Sequence, residues 1–119
     1  MKLEYGTTYY QVVYADPKLT MPGLKPMVYI GENIFKNETE TTYYFQDTVS
    51  VLVFGLVGEA ENTTDCHISS FPKDEIGTCI VDIDGAEKLV SSAAKKAKEL
   101  GYPKITKASG EWNKINPNK

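Results

Sequence analysis

Residues 49–57, with the sequence VSVLVFGLV, are the feature that most constrains how this chain can fold. Every position except Ser50 and Gly55 is apolar, so the run does not alternate as a half-buried strand would. An uncharged, β-prone segment without proline favours aggregation when it is exposed. We therefore expect residues 49–57 to be buried in the core of the protein.

The pattern leaves two secondary structures open for this run. Valines at positions 49, 51, 53 and 57 favour a strand, because β-branched side chains fit a pleated sheet. Asp47 in an N-cap position, with Gly55 just past the end, favours instead a helix of one to two turns. A short helix over 47–55 is therefore an alternative to a buried central strand.

A helix over 84–100 is the clearest element of the sequence. Asp84 followed by Glu87 matches a capping box at its start, and Gly101 is placed to end it. The apolar residues that recur at helical spacing are Ala86, Leu89, Val90, Ala93, Ala94, Ala97 and Leu100. We expect this apolar side to pack on the rest of the protein.

Strands are predicted where β-branched and aromatic residues cluster. Residues 15–26 contain three prolines and are predicted to form a loop. The turn PKDEIG at 72–77 predicts a hairpin between the strands on either side of it. The predicted strands are 7–14, 27–31, 41–46, 66–71 and 78–83, with 104–109 as a candidate sixth.

These elements predict an α+β domain with a mostly antiparallel sheet of about 5–6 strands and the 84–100 helix packed on one face. The length of 119 residues indicates one domain, which we place at 1–110. Residues 111–119 form a polar tail in this reading, with the ring of Trp112 packed back on the body. In the predicted hairpin Cys66 and Cys79 are too far apart for a disulfide, so we expect thiols.

Charge is distributed unevenly along the chain. Residues 1–87 carry 5 lysines against 14 acids, giving −9, and residues 88–119 carry 8 lysines against 2 acids, giving +6. All 13 basic residues are lysine, which disfavours a sequence-specific reader of nucleic acid, because arginine supplies the bidentate contacts to phosphate and guanine.

No stretch approaches the ~20 apolar residues of a membrane span, and the first residues lack the pattern of a secretory signal. We therefore expect a cytoplasmic protein.

Candidate chemistry is sparse. Asp82, Asp84 and Glu87 have a spacing with which carboxylates hold a divalent cation, although Asp84 and Glu87 serve equally well as helix caps, with Asp82 solvated. His67 is the only histidine, and its neighbour Cys66 would point to the opposite face of a strand. We therefore predict no catalytic residues and no cofactor, and we keep the three carboxylates as the candidate metal site.

The function favoured by this sequence is a small acidic binding protein of the inhibitor, immunity or adaptor type, rather than an enzyme. Exposed tyrosines would supply contact area to a basic protein partner that the acids attract. The candidate partner-binding residues are Tyr9, Tyr43, Glu59, Glu61 and Asp65.

Two other functions remain open. One is a small-molecule or metal-dependent domain, or a modest enzyme, with a pocket between sheet and helix. Its polar residues would be Asp82, Asp84, His67 and a tyrosine. The other is a homodimer formed through a sheet edge.

Overall fold

The computed structural model describes residues 1–36, 38–58 and 66–104. Within these residues, five strands form one antiparallel sheet in the order β4–β3–β2–β1–β5, and helix α2 contacts β1, β2 and β5. The elements in chain order are β1 (Thr8–Tyr14), β2 (Pro22–Glu32), β3 (Thr42–Asp47), α1 (Thr48–Phe54), β4 (Ile68–Pro72), β5 (Ile80–Val81) and α2 (Ile83–Glu99). The predicted α+β fold, with an antiparallel sheet and a C-terminal helix on it, is confirmed.

The predicted hairpin between residues 66–71 and 78–83 is wrong. The strands β4 and β5 lie at opposite edges of the sheet, where β4 pairs with β3 and β5 pairs with β1. Cys66 precedes β4 and Cys79 precedes β5, so the width of the sheet separates them, and both are thiols, as predicted. The candidate strand 104–109 and the tail with Trp112 fall, apart from Lys104, outside the described residues.

The start of β2 corrects the prediction that residues 15–26 form a loop. β2 begins at Pro22, and its first half pairs with β1, whereas β3 pairs only with its second half. The Ala15 amide donates to the Met21 carbonyl, so in the alternating ladder Pro22 and Pro26 take positions whose N–H would point away from β1. Proline, which has no N–H, loses no hydrogen bond to β1 at such a position.

The side chains of the sheet form a separate cluster on each face. On one face, Val12 of β1 and Val81 of β5 pack against Ala86 of α2. Tyr9 and Tyr10 belong to different clusters, because successive side chains of a strand point to opposite faces. The buried cluster on the other face comprises Tyr9, Met27, Tyr29, Phe45, Phe71 and Ile80.

Helix α2 begins one residue before the predicted start and uses a different cap. The Asp82 carboxylate accepts a hydrogen bond from the Gly85 amide at 2.7 Å, whereas Asp84 lies within the first turn. The predicted capping box of Asp84 and Glu87 is therefore wrong. The end of the helix is as predicted, since Gly101 has a φ of 73°, the left-handed region that glycine favours.

Gly85 marks a close approach between α2 and β5. A Cβ at this position would lie 2.9 Å from the Val81 Cβ. We expect Gly85→Ala to lower the free energy of unfolding by about 1–3 kcal/mol, because overpacking outweighs the gain in helix propensity. Urea denaturation followed by circular dichroism measures the change. Ser92→Ala, on the exposed side of α2, is the control and should change stability by less than about 0.5 kcal/mol. A stabilised Gly85→Ala variant would contradict the close approach.

Candidate functional site

Helix α1 turns its apolar side chains to solvent. Val49, Leu52, Val53 and Phe54 are 64%, 86%, 65% and 42% exposed, whereas Ser50 is 3% exposed. Ser50 is the residue that α1 buries. The prediction that 49–57 forms buried core is therefore wrong. We call Val49, Leu52, Val53 and Phe54 the α1 apolar surface.

The ends of α1 agree with the alternative that the sequence left open. At the start of the helix, Asp47 Oδ2 accepts hydrogen bonds from the amides of Val49 at 3.1 Å and Ser50 at 3.3 Å. At its end, Gly55 has a φ of 85° and donates from its amide to the Val51 carbonyl at 2.8 Å. The residues after Asp47 therefore form the short helix that Asp47 and Gly55 indicated, rather than the strand that the valines favour.

A buried glutamine holds α1 in this orientation. Gln46 is 0% exposed, and its Nε2 donates to Ser50 Oγ at 3.0 Å and to the Gly55 carbonyl at 2.9 Å. Its Oε1 accepts from the Val57 amide at 2.9 Å, and Ser50 Oγ also accepts from the His67 amide at 3.1 Å. We call these five residues the Gln46 network. Turning the apolar surface inward would break these bonds, and buried polar groups left without partners are costly.

A cleft of about 400 Å³ lies between α1 and the end of the sheet. Val49, Val53 and Phe54 line one part of it, and the remaining lining includes several polar side chains. Met27 pairs with Asp47, so Lys25, two residues earlier on β2, is a diagonal neighbour of Asp47 on the same face. The polar lining comprises Lys25, Asp47, Ser50, His67 and Ser69. We call this space the α1 cleft.

A second space, of about 480 Å³, lies between α2 and the β1–β2 pair. Its lining is mostly apolar, with Leu24 of β2 facing Ile83 and Val90 of α2. If the chain were a ligand-binding domain with a pocket between sheet and helix, as the sequence also allowed, His67 would have to lie close to Asp82. Because these residues flank β4 and β5 at opposite edges, four strand spacings of ~4.8 Å, roughly 19 Å, separate them. That set of polar residues is therefore not brought together.

The predicted partner-binding residues have different outcomes. Tyr9 is 3% exposed and packs in the aromatic cluster, so its assignment as a contact residue is wrong. Tyr43 is half-buried, with its ring 6.4 Å from that of Tyr29, and its role in binding stays a prediction. The acidic residues Glu59, Glu61 and Asp65 lie outside the described residues.

The candidate metal site gains no support from the geometry. Asp82 is occupied as the cap of α2, and Asp84 and Glu87 are exposed on that helix. Within 1–36, 38–58 and 66–104, no group of three or more histidine, cysteine, aspartate or glutamate side chains is arranged to hold a metal ion. Metal binding by these carboxylates stays a prediction.

Comparison with known proteins yields no relative, since no protein-family model, curated protein or solved structure matches the chain. In the part of the chain that the structure describes, no helix has both the length and the apolar character needed to cross a membrane.

Proposed function

We propose that this chain is a small acidic cytoplasmic binding protein that docks a protein partner on the α1 apolar surface. The exposure of that surface is the observation that carries the proposal. A surface helix normally turns its apolar side to the core, and a contiguous exposed apolar patch marks an interaction site. In α1 the Gln46 network keeps the patch outward by satisfying every polar group of the Gln46 side chain.

The charge of the chain supports a partner whose apolar anchor is surrounded by basic side chains. Residues 1–87, which include α1, carry 14 acids against 5 lysines, and α1 itself has no charged residue. Apolar anchors at the centre of an interface carry most of the binding energy, while surrounding charges speed association. In this proposal the α1 apolar surface, rather than Tyr9, supplies the apolar contact area for the partner.

We expect Leu52→Asp to weaken partner binding strongly without affecting folding. Leu52 is 86% exposed, so the substitution should change the free energy of unfolding by less than about 0.5 kcal/mol. Loss of a central anchor typically costs about 2 kcal/mol or more, close to a 30-fold loss of affinity. Affinity capture from the native host, followed by titration of the recovered partner with each variant, measures the effect.

Ile83→Asp provides the matched control, because Ile83 is 65% exposed and lies on α2 rather than α1. The partner should bind Ile83→Asp as it binds the wild type. Undiminished binding to Leu52→Asp would refute the proposed docking surface.

The rate of association with the partner should also fall steeply as added salt screens the charges. A rate that does not depend on salt would refute the proposed attraction between the acids and a basic partner.

A further inference from the structure

The α1 cleft surrounds one space with a cation, an anion and an apolar wall. Lys25 supplies an ammonium group, Asp47 supplies a carboxylate, and Val49, Val53 and Phe54 supply the wall. This combination differs from the space between α2 and the β1–β2 pair, whose lining contains Glu87 as a charged residue but no cation. A ligand with two opposite charges and an apolar group would complement this lining.

The sheet register places Lys25 and Asp47 as diagonal neighbours on the same face of the sheet. Asp47 pairs with Met27, and Lys25 is its diagonal neighbour across the β2–β3 pair, at a typical Cα distance of about 7–8 Å. Both helix-cap bonds of Asp47 end on Oδ2, so Oδ1 can accept a further hydrogen bond. One small zwitterion can therefore contact both side chains, with its ammonium on Asp47 and its carboxylate on Lys25.

The apolar wall lies on α1, beside these charges. Val49 and Val53 are four residues apart and thus share one side of the helix, with Phe54 next to them. The Gln46 network fixes this wall relative to the sheet. The volume of about 400 Å³ is within the range of ligand pockets and accommodates a side chain the size of leucine or phenylalanine.

We propose that the α1 cleft binds a free α-amino acid with an apolar side chain. The ammonium of the ligand pairs with Asp47, its carboxylate pairs with Lys25, and its side chain packs on Val49, Val53 and Phe54. This inference goes beyond the proposed function, and its ligand shares Val49, Val53 and Phe54 with the α1 apolar surface, whereas Leu52 belongs to that surface alone. Since Leu52 is not part of the cleft lining, Leu52→Asp should weaken partner docking and leave amino-acid binding unchanged, so the two proposals can fail separately.

Calorimetric titration of the full chain tests the ligand class. L-Phenylalanine and L-leucine should bind with a dissociation constant on the order of 1 mM or tighter. N-Acetyl-L-phenylalanine lacks the ammonium, phenethylamine lacks the carboxylate, and L-alanine lacks the large apolar group, so each should bind at least about tenfold more weakly. Two results would overturn the proposal. One is that L-phenylalanine and L-leucine do not bind at about ten times the expected dissociation constant. The other is that all five compounds bind with equal affinity.

Two charge-removing variants test the assigned residues. Asp47→Asn keeps a good N-cap residue, and Lys25→Met keeps an apolar stem, and each should weaken L-phenylalanine binding at least about tenfold. Asp74→Asn and Lys36→Met, both exposed and outside the cleft, are the controls and should bind normally. If Asp47→Asn fails to fold, Lys25→Met alone decides, and unchanged binding to it would exclude the assigned cleft.

Discussion

Replacing Gln46 by alanine should lower the free energy of unfolding by about 3–5 kcal/mol. The variant leaves the Gly55 carbonyl and the Val57 amide without their partner and removes a donor to Ser50 Oγ. A buried polar group without a hydrogen bond costs about 1–3 kcal/mol, and the space left by a fully buried side chain adds a cavity term. Urea denaturation gives the size of the effect.

The matched control is Gln11→Ala, which removes the same side chain from a half-buried position of β1 and should cost less than about 1 kcal/mol. Hydrogen–deuterium exchange locates the effect, since Gln46→Ala should accelerate exchange of the Val57 amide more than that of the amides in β1. A change in stability as small as that of Gln11→Ala would show that the Gln46 network does not hold α1.

Replacing Phe45 by alanine should also lower the free energy of unfolding by about 3–5 kcal/mol, but for an apolar reason. The ring is 0% exposed, with its centroid 6.1 Å from that of Tyr9, 5.4 Å from that of Tyr29 and 5.7 Å from that of Phe71. Truncation removes these contacts and leaves a cavity in the aromatic cluster. Denaturation followed by tyrosine fluorescence measures the loss.

Phe35→Ala is the control for this substitution. Phe35 is 55% exposed, and its ring contacts Tyr44 alone among the described ring pairs, so we expect a cost below about 1 kcal/mol. Phe45→Ala should accelerate exchange to a similar degree across the sheet, whereas Gln46→Ala should have its largest effect at the Val57 amide. Equal costs for Phe45→Ala and Phe35→Ala would contradict the central place of the aromatic cluster.

These two neighbours illustrate how much of the fold a sequence of this kind reveals. The strand that contains Phe45 and Gln46 was predictable, as was α2, because both follow from local propensity and periodicity. The pairing of β4 and β5 was not, since each strand pairs with a segment that is distant in sequence. Local patterns indicate which residues share a face, but not which strand lies alongside.

The orientation of α1 was missed for a different reason. The rule that apolar residues face inward predicts that Val49, Leu52 and Val53 are buried. The Gln46 network holds α1 in the opposite orientation, with Ser50 buried. A local sign existed, since Gln46 and Ser50 are only four residues apart in the sequence, but Ser50 also bonds to His67, 17 residues away. The assignment of Tyr9 failed similarly, because Tyr9 and Tyr10 each pack in a cluster on their own face of β1, and alternation alone cannot reveal that.

The two prolines of β2 limit how this protein can self-associate. On the side of its first half that points away from β1, Pro22 and Pro26 have no N–H to offer, and only Leu24 between them retains a donor there. An incoming strand would find too few donors to continue the ladder, and the charge of Lys25 in the same stretch opposes it further. A protein that displays valine, leucine and phenylalanine on a neighbouring helix is thereby protected from templating fibrils along this margin of its sheet.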